Sequence, residues 1–172
     1  MALRAQVEPH IEVHKFHTFA VAGSTFFALL LQVLLQKYFQ RASYLELPFL
    51  VTLYFGLSRR NPSTGLLLGM TIGLLQDGLS NIQLGMNGIA KTLVGFGASS
   101  LGARIDTEHP LARAILTVLF YWGHQCIFVL TKRLLLNEPE TLFTVATLVT
   151  SLVSSALAVA LFPLLDRLRK PS

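Results

Sequence analysis

The sequence predicts an all-α integral membrane protein, in which six transmembrane helices form one compact bundle with both termini in the cytoplasm. Composition is the first observation, because 52% of the 172 residues are hydrophobic and only 13% are charged, against about 25% in an average soluble domain. Segment length is the second, because about 20 apolar residues cross a hydrocarbon core of roughly 30 Å. Six such segments fill most of the chain, so residues 1–172 are expected to form a single transmembrane domain.

The charged and thiol-bearing residues exclude several other classes of protein. The net charge of +5 does not indicate nucleic-acid binding, because the basic residues are scattered at the ends of apolar segments rather than clustered. Cys126 is the only cysteine, which excludes an internal disulfide and argues against a cysteine-rich metal site. The polar N-terminal stretch does not resemble a cleavable signal, so the first apolar segment is expected to remain as a helix.

Residues 1–15 are expected to form a polar cytoplasmic lead-in. His10, His14 and His17 have helical spacing at this end of the chain, and imidazoles are common metal ligands. The sequence supplies no positioned fourth ligand, so a solvated tail is the favoured interpretation and no metal site is predicted.

The six spans are predicted at residues 16–36, 44–57, 63–79, 84–103, 111–131 and 142–165, with a basic cytoplasmic tail at 166–172. The second span is short and contains Pro48 near its start, where the missing N–H of proline has no helical partner to lose. Glu46 is expected to face the headgroup region, with a buried functional carboxylate as the alternative. Lys132 and Arg133 are expected to end the fifth span.

Lys and Arg are unequally divided between the two predicted sides of the membrane. One side carries nine of them: Arg4, Lys15, Arg59, Arg60, Arg104, Arg113, Arg167, Arg169 and Lys170. The other side carries four: Lys37, Arg41, Lys132 and Arg133. The richer side is expected to be cytoplasmic, which places both termini inside and the turn at residues 80–85 outside.

Residues 63–102 are predicted to form a tight hairpin of two helices around which the chain is organised. Small residues and single charges lie on one side of each helix: Gly65, Gly69, Gly73 and Asp77 on the third span, and Gly88, Lys91 and Gly95 on the fourth. Glycines at four-residue spacing let helix backbones approach closely in lipid. Tight helix packing is therefore the favoured interpretation, and a glycine-lined transport path is the alternative.

Asp77 and Lys91 are equidistant from the centre of this hairpin, so antiparallel packing places them at about the same depth. Charges inside apolar helices are costly unless they meet each other or a polar cavity. Three interpretations follow: an ion pair that fixes the hairpin register, a polar face for a membrane partner or ligand, or proton or ion coupling. Coupling requires a relay of titratable groups, and His124, the nearest candidate, cannot be placed beside them from sequence. Alternatively, Lys91 extends to the outer interface.

No pattern in the chain indicates an enzyme. Hydrolytic chemistry needs a nucleophile with a base and an orienting group, whereas the serines here occur in helix-packing contexts. The sequence contains no Walker-type Gly-Lys loop, cysteine pair or His-Glu-x-x-His helix. We therefore predict no catalytic residue and no cofactor, and we interpret His124 and Gln125 as hydrogen-bonded interior side chains.

A series of motifs runs from the second span to the start of the fourth. They are Pro48, Leu53-Tyr54, Pro62, a glycine-rich third span ending Gly73-Leu74-Leu75-Gln76-Asp77, and then Leu84-Gly85-Met86-Asn87. Together they resemble the MreD family of rod shape-determining membrane proteins. The most specific part is the acidic residue followed by Leu-Gly-x-Asn. Lys91 departs from the pattern, because an apolar residue is expected there.

The resemblance implies a non-enzymatic scaffold in the inner membrane, within the bacterial cell-elongation machinery (the elongasome). Such proteins associate with the bitopic partner MreC, and through it with MreB filaments and the peptidoglycan synthases. The implied fold is similar to the six-helix substrate-binding subunits of energy-coupling-factor transporters. A substrate-binding subunit for a vitamin-like molecule is the main alternative function, and a proton-coupled transporter is a third. The candidate interaction or packing residues are Gly65, Gly69, Gly73, Asp77, Gly85, Asn87, Lys91 and Gly95.

Overall fold

The computed structural model describes residues 18–38, 45–80, 83–105, 109–137, 141 and 144–168, and these residues form six α-helices. The helices are α1 (Thr18–Tyr38), α2 (Leu47–Arg59), α3 (Pro62–Leu79), α4 (Met86–Gly102), α5 (Pro110–Leu136) and α6 (Val145–Asp166). The histidines His10, His14 and His17 lie outside the described residues.

Contacts between the helices show that consecutive helices run antiparallel. Gln32 near the end of α1 contacts Leu47 at the start of α2, and Lys91 near the start of α4 contacts His124 in the second half of α5. Arg113 at the start of α5 contacts Asp166 at the end of α6. One end of the bundle therefore holds the starts of α1, α3 and α5, and the other holds the starts of α2, α4 and α6.

The short helix α2 lies at the centre of the bundle. It contacts all five other helices, and every residue from Leu47 to Ser58 is buried. Its 13 residues span about 20 Å at 1.5 Å per residue, less than the roughly 30 Å of a hydrocarbon core. Because other helices surround it, α2 does not have to match the bilayer thickness with its own length.

Helices α3 and α4 form the most closely packed pair in the bundle. Gly65 of α3 faces Gly95 and Ser99 of α4, while Gly69 and Gly73 face the backbone of α4 itself. A Cβ atom added to any of these three α3 glycines would collide with α4. The absence of side chains therefore sets how closely the two backbones approach.

The outer surface of the described helices is apolar. Phe26 on α1, Leu119 on α5 and Leu152 on α6 are 67%, 60% and 67% exposed. Three helical segments, namely Phe19–Tyr38, Pro110–Leu136 and Val145–Asp166, are long and apolar enough to cross a membrane. These observations indicate a protein whose outer surface suits lipid rather than water; six spans and cytoplasmic termini remain predictions.

Helix α5 is longer than the sequence predicts, because it continues past Lys132 and Arg133 to Leu136. The prediction that these charges end the span is wrong. Long basic side chains can lie along apolar surface while their charged ends reach water, so they do not interrupt the helix. The helix ends instead at Asn137, whose φ of 54° is left-handed and is typical of a C-terminal cap.

Candidate functional site

Asp77, in the last turn of α3, caps the N-terminus of α4. Its Oδ2 accepts hydrogen bonds from the backbone N–H groups of Gly85 (2.9 Å) and Gly88 (3.1 Å). Its Oδ1 accepts from the backbone N–H of Asn87 (3.1 Å). The first N–H groups of a helix have no intrahelical partner, and the partial positive charge there favours a carboxylate. The buried charge of Asp77 is thus stabilised by the helix that follows it.

Gly85 allows this cap to form. It occupies the N-cap position of α4 with a φ of 101°, a conformation that favours glycine because it has no Cβ. Glycine also has no side-chain oxygen with which to cap the helix, so the oxygen comes from Asp77 in the preceding helix. Asp77 and Gly85 are eight positions apart along the chain, and their contact joins the end of α3 to the start of α4.

Asn87 joins Asp77 to Lys91. Its Nδ2 donates to Asp77 Oδ1 (2.9 Å), and its Oδ1 accepts from Lys91 Nζ (2.9 Å). One buried amide therefore holds the carboxylate on one side and the ammonium on the other. Among the described residues no direct Asp77–Lys91 ion pair forms, so the interpretation of these two residues as a pair is wrong. The predicted similar depth is consistent with both side chains reaching the same amide.

Lys91 points into the bundle and is fully buried. Its Nζ lies 3.0 Å from Glu46 Oε2, 2.9 Å from Asn87 Oδ1 and 3.4 Å from His124 Nε2. An ammonium has three donors, and here it meets three acceptors from α4, α5 and the residue before α2. The alternative in which Lys91 extends to the outer interface is therefore wrong.

Glu46 faces the interior of the bundle rather than the headgroup region, so its favoured interpretation is wrong. Its side chain is only 20% exposed and forms an ion pair with Lys91. Glu46 directly precedes α2, so the pair ties the start of the central helix to α4. The alternative interpretation of Glu46 as a buried carboxylate was open from the sequence. Nothing in the sequence indicated its partner Lys91, which lies 45 residues away along the chain.

His124 completes this cluster from α5. It is fully buried, with its Nε2 also 3.6 Å from Glu46 Oε2. The contact with Lys91 is a hydrogen bond when Nε2 is unprotonated, whereas the approach to Glu46 is an ion pair only when the ring is protonated. Phe49 and Phe128 lie against the ring, with centroids 5.3 Å and 6.3 Å away. Among the described residues His124 Nδ1 has no hydrogen-bond partner.

We call Glu46, Asp77, Asn87, Lys91 and His124 the polar network. It links α2, α3, α4 and α5 inside an otherwise apolar bundle. Within the described part of the chain, no group of three His, Cys, Asp or Glu side chains could hold a metal ion. The contacts within the network are hydrogen bonds and ion pairs.

The comparison with protein families decides which family the chain belongs to. The model of the rod shape-determining protein MreD matches residues 14–170. The chain belongs to the MreD family. No curated protein and no solved structure matches it.

Membership of the MreD family implies a role in rod shape determination and association with the shape-determining complex. MreD proteins are shape-determining components and are not known as enzymes. Together with the three long apolar helices, membership also indicates a membrane protein. The motif Leu84-Gly85-Met86-Asn87, on which the resemblance to MreD rested, is the segment that binds the Asp77 carboxylate.

A second polar cluster closes the opposite end of the bundle. Asp166 of α6 accepts hydrogen bonds from Tyr54 Oη and Arg113 Nη1, each at 2.8 Å. The Arg113 guanidinium also lies 5.9 Å from the centre of the Phe162 ring. This cluster ties α5 and α6 to the central helix, and sequence reasoning missed it. The one available signal was Arg113, a cation placed inside the predicted fifth span.

Proposed function

We propose that this MreD-family protein is a non-enzymatic scaffold of the bacterial cell-elongation machinery. In this proposal it lies in the inner membrane with six spans and cytoplasmic termini. It binds the bitopic partner MreC and thereby helps to organise MreB, the peptidoglycan synthases and rod shape. The similarity of its fold to energy-coupling-factor subunits is part of the same proposal.

The observation that carries the proposal is that the charges of the α3–α4 hairpin are engaged inside the protein. The Asp77 carboxylate accepts four hydrogen bonds, and the Lys91 ammonium meets three acceptors. Charged groups whose hydrogen bonds are all made inside the bundle stabilise the register of the helices and are not available to bind a substrate. A fixed bundle with exposed apolar faces on its outer helices suits the binding of other transmembrane segments.

A proton-coupled transporter is the second candidate, and one observation favours it. Glu46, Lys91 and His124 provide the titratable relay that such coupling requires, with neighbouring groups 3.0 to 3.6 Å apart. A substrate-binding subunit is less well supported, because two grooves in the described part of the bundle are lined mainly by apolar side chains.

Deletion of the gene in a rod-shaped host tests the scaffold proposal. We expect rounded cells that regain rod shape when the wild-type gene is restored. The variants Glu46→Gln and His124→Gln separate the two candidates, because they interrupt the relay while they retain hydrogen-bonding side chains. Folded variants that restore rod shape support the scaffold, whereas unchanged shape in the deletion strain contradicts it.

Co-purification from the native membrane tests the partner. We expect a tagged protein to retain MreC, as identified by mass spectrometry. Tryptophan substitutions at Phe26, Leu119 and Leu152 probe three different outer faces without entering the core, because all three side chains are exposed. Loss of MreC with one variant and retention with the other two would locate the interface. Absence of MreC with the wild-type protein would contradict this part of the proposal.

A further inference from the structure

A groove of about 470 Å³ lies between α1 and α3. It exists because α1 packs mainly against α2 and only slightly against α3. Val21, Leu29 and Ile72 are buried within it, whereas Phe26 and Leu75 are exposed at its edges. The groove is therefore a mainly apolar depression on the outer surface of the bundle.

The extent of the groove corresponds to one leaflet of a bilayer. On α1 it runs from Val21 to Leu29, and on α3 from Leu68 to Leu75. At 1.5 Å per residue these stretches are about 12 Å and 10 Å long. Half of a hydrocarbon core is roughly 15 Å, whereas a partner helix needs the full 30 Å or so. The length of the groove thus suits an acyl chain better than a transmembrane helix.

A cation lies at one end of the groove. Arg59, the last residue of α2, lines it together with the apolar side chains. Because α1 and α3 begin at the end of the bundle where α2 finishes, Arg59 lies at that end of the groove. Within the described part of the chain Arg59 forms no ion pair. Basic pockets between helices on the cytoplasmic side of membrane proteins bind anionic lipid headgroups.

We propose that this groove binds an anionic phospholipid, with the phosphate at Arg59 and one acyl chain between α1 and α3. The lipid comes from the leaflet on the Arg59 side, which is the cytoplasmic leaflet in the predicted topology. The guanidinium supplies the charge that complements a phosphate, and the groove supplies apolar surface over the depth of that leaflet.

Native mass spectrometry of the purified full chain tests this proposal. The protein is mixed with equal amounts of phosphatidylglycerol and phosphatidylcholine that carry the same acyl chains. We expect retention of phosphatidylglycerol over phosphatidylcholine by about fivefold, the effect of one guanidinium near a membrane surface. Arg59→Gln should bring the ratio close to one. Arg104→Gln is the matched control, because this exposed cation lies at the same end of the bundle but does not line the groove.

A second variant tests the groove independently of the charge. Ala22 lines the groove and is exposed, so the indole side chain in Ala22→Trp should fill the groove without disturbing the core. We expect it to lower retention of both lipids. Equal retention of the two lipids by the wild-type protein would overturn the proposal. So would an unchanged preference in Arg59→Gln, or equal losses in Arg59→Gln and Arg104→Gln.

The lipid proposal and the scaffold proposal are tested independently, so either can be contradicted without affecting the other. Lipid retention is measured on the purified protein without any partner, whereas cell shape and MreC retention are measured in the host. An Arg59→Gln protein that loses its lipid preference and still restores rod shape supports the lipid site and leaves the scaffold proposal intact.

Discussion

Asp77 and Lys91 are held on opposite sides of the same side-chain amide, that of Asn87. The Asp77 carboxylate is hydrogen-bonded to the first turn of α4, and the Lys91 ammonium contacts Glu46 and His124. The two charges are therefore coupled through a shared neighbour rather than through a contact of their own. The hairpin register depends on the Asp77 cap, whereas the link from α4 to α2 and α5 depends on Lys91.

Replacement of Asp77 should open the turn between α3 and α4. Asp77→Ala leaves the capped N–H groups and the Asn87 amide without their acceptor, so we expect a loss of about 2–4 kcal/mol in the free energy of unfolding. Asp77→Asn keeps one acceptor oxygen and should lose less. Denaturant unfolding of the detergent-solubilised protein measures both. Gln83→Ala, at an exposed turn residue, is the control and should be nearly neutral.

Lys91 and Glu46 should show direct energetic coupling. Lys91→Met leaves the Glu46 carboxylate without its counter-charge, and removal of one partner of a buried pair costs about 3–5 kcal/mol. Because Glu46 is partly exposed, we expect the lower end of this range. Glu46→Gln in the Lys91→Met background should recover part of the loss. Unfolding experiments on the four proteins of the double-mutant cycle give the coupling free energy.

The same cycle for Asp77 and Lys91 provides the comparison. We expect a smaller coupling free energy for this pair, because Asn87 lies between the two side chains. A larger value for Asp77 with Lys91 than for Glu46 with Lys91 would contradict the arrangement of the polar network.

Two glycines of the same helix should respond differently to substitution by alanine. Gly69→Ala places a Cβ against the Lys91 backbone, and overpacking of this kind costs about 1–3 kcal/mol. A Cβ at Gly78 meets nothing within 4 Å, so Gly78→Ala should be neutral or slightly stabilising because alanine favours helix. Thermal unfolding in detergent compares the two variants. Equal losses would show that the α3–α4 distance is not set by Gly69.

Gly85 should tolerate asparagine better than valine. The space around this position is open, so the cost of a side chain comes from the φ of 101° rather than from a collision. Asparagine tolerates left-handed backbone conformations better than most residues, whereas a β-branched residue is strained there. We expect Gly85→Val to be at least about 1 kcal/mol less stable than Gly85→Asn. Similar unfolding midpoints for the two variants would contradict this.

Features that depend on local spacing were predictable from the sequence. The glycine pattern of Gly65, Gly69 and Gly73 indicated the side of α3 that approaches another helix, and the hairpin symmetry placed Asp77 and Lys91 at one depth. Depth along a helix follows from residue number, but direction around the helix axis depends on how the bundle assembles. Sequence symmetry therefore did not reveal that Lys91 turns toward Glu46.

Contacts between distant parts of the chain could not be predicted in the same way. Glu46 and His124 are single residues in separate segments, and no periodic pattern connects them to Lys91. The central position of α2 was likewise hidden, because a short apolar segment is compatible with a peripheral or an enclosed helix. The arrangement of α2, α3 and α5 around α4 decides which side chains meet.

The enclosed position of α2 has a consequence for biogenesis. A 13-residue helix preceded by Glu46 is poorly suited to stand alone in lipid, because it is short and its carboxylate then lacks Lys91. Its counter-charge is synthesised 45 residues later, and α5 and α6 follow later still. We therefore expect α2 to reach its final depth only after the C-terminal half has left the ribosome. Nascent chains truncated after residue 80 should leave this segment accessible to water-soluble labels.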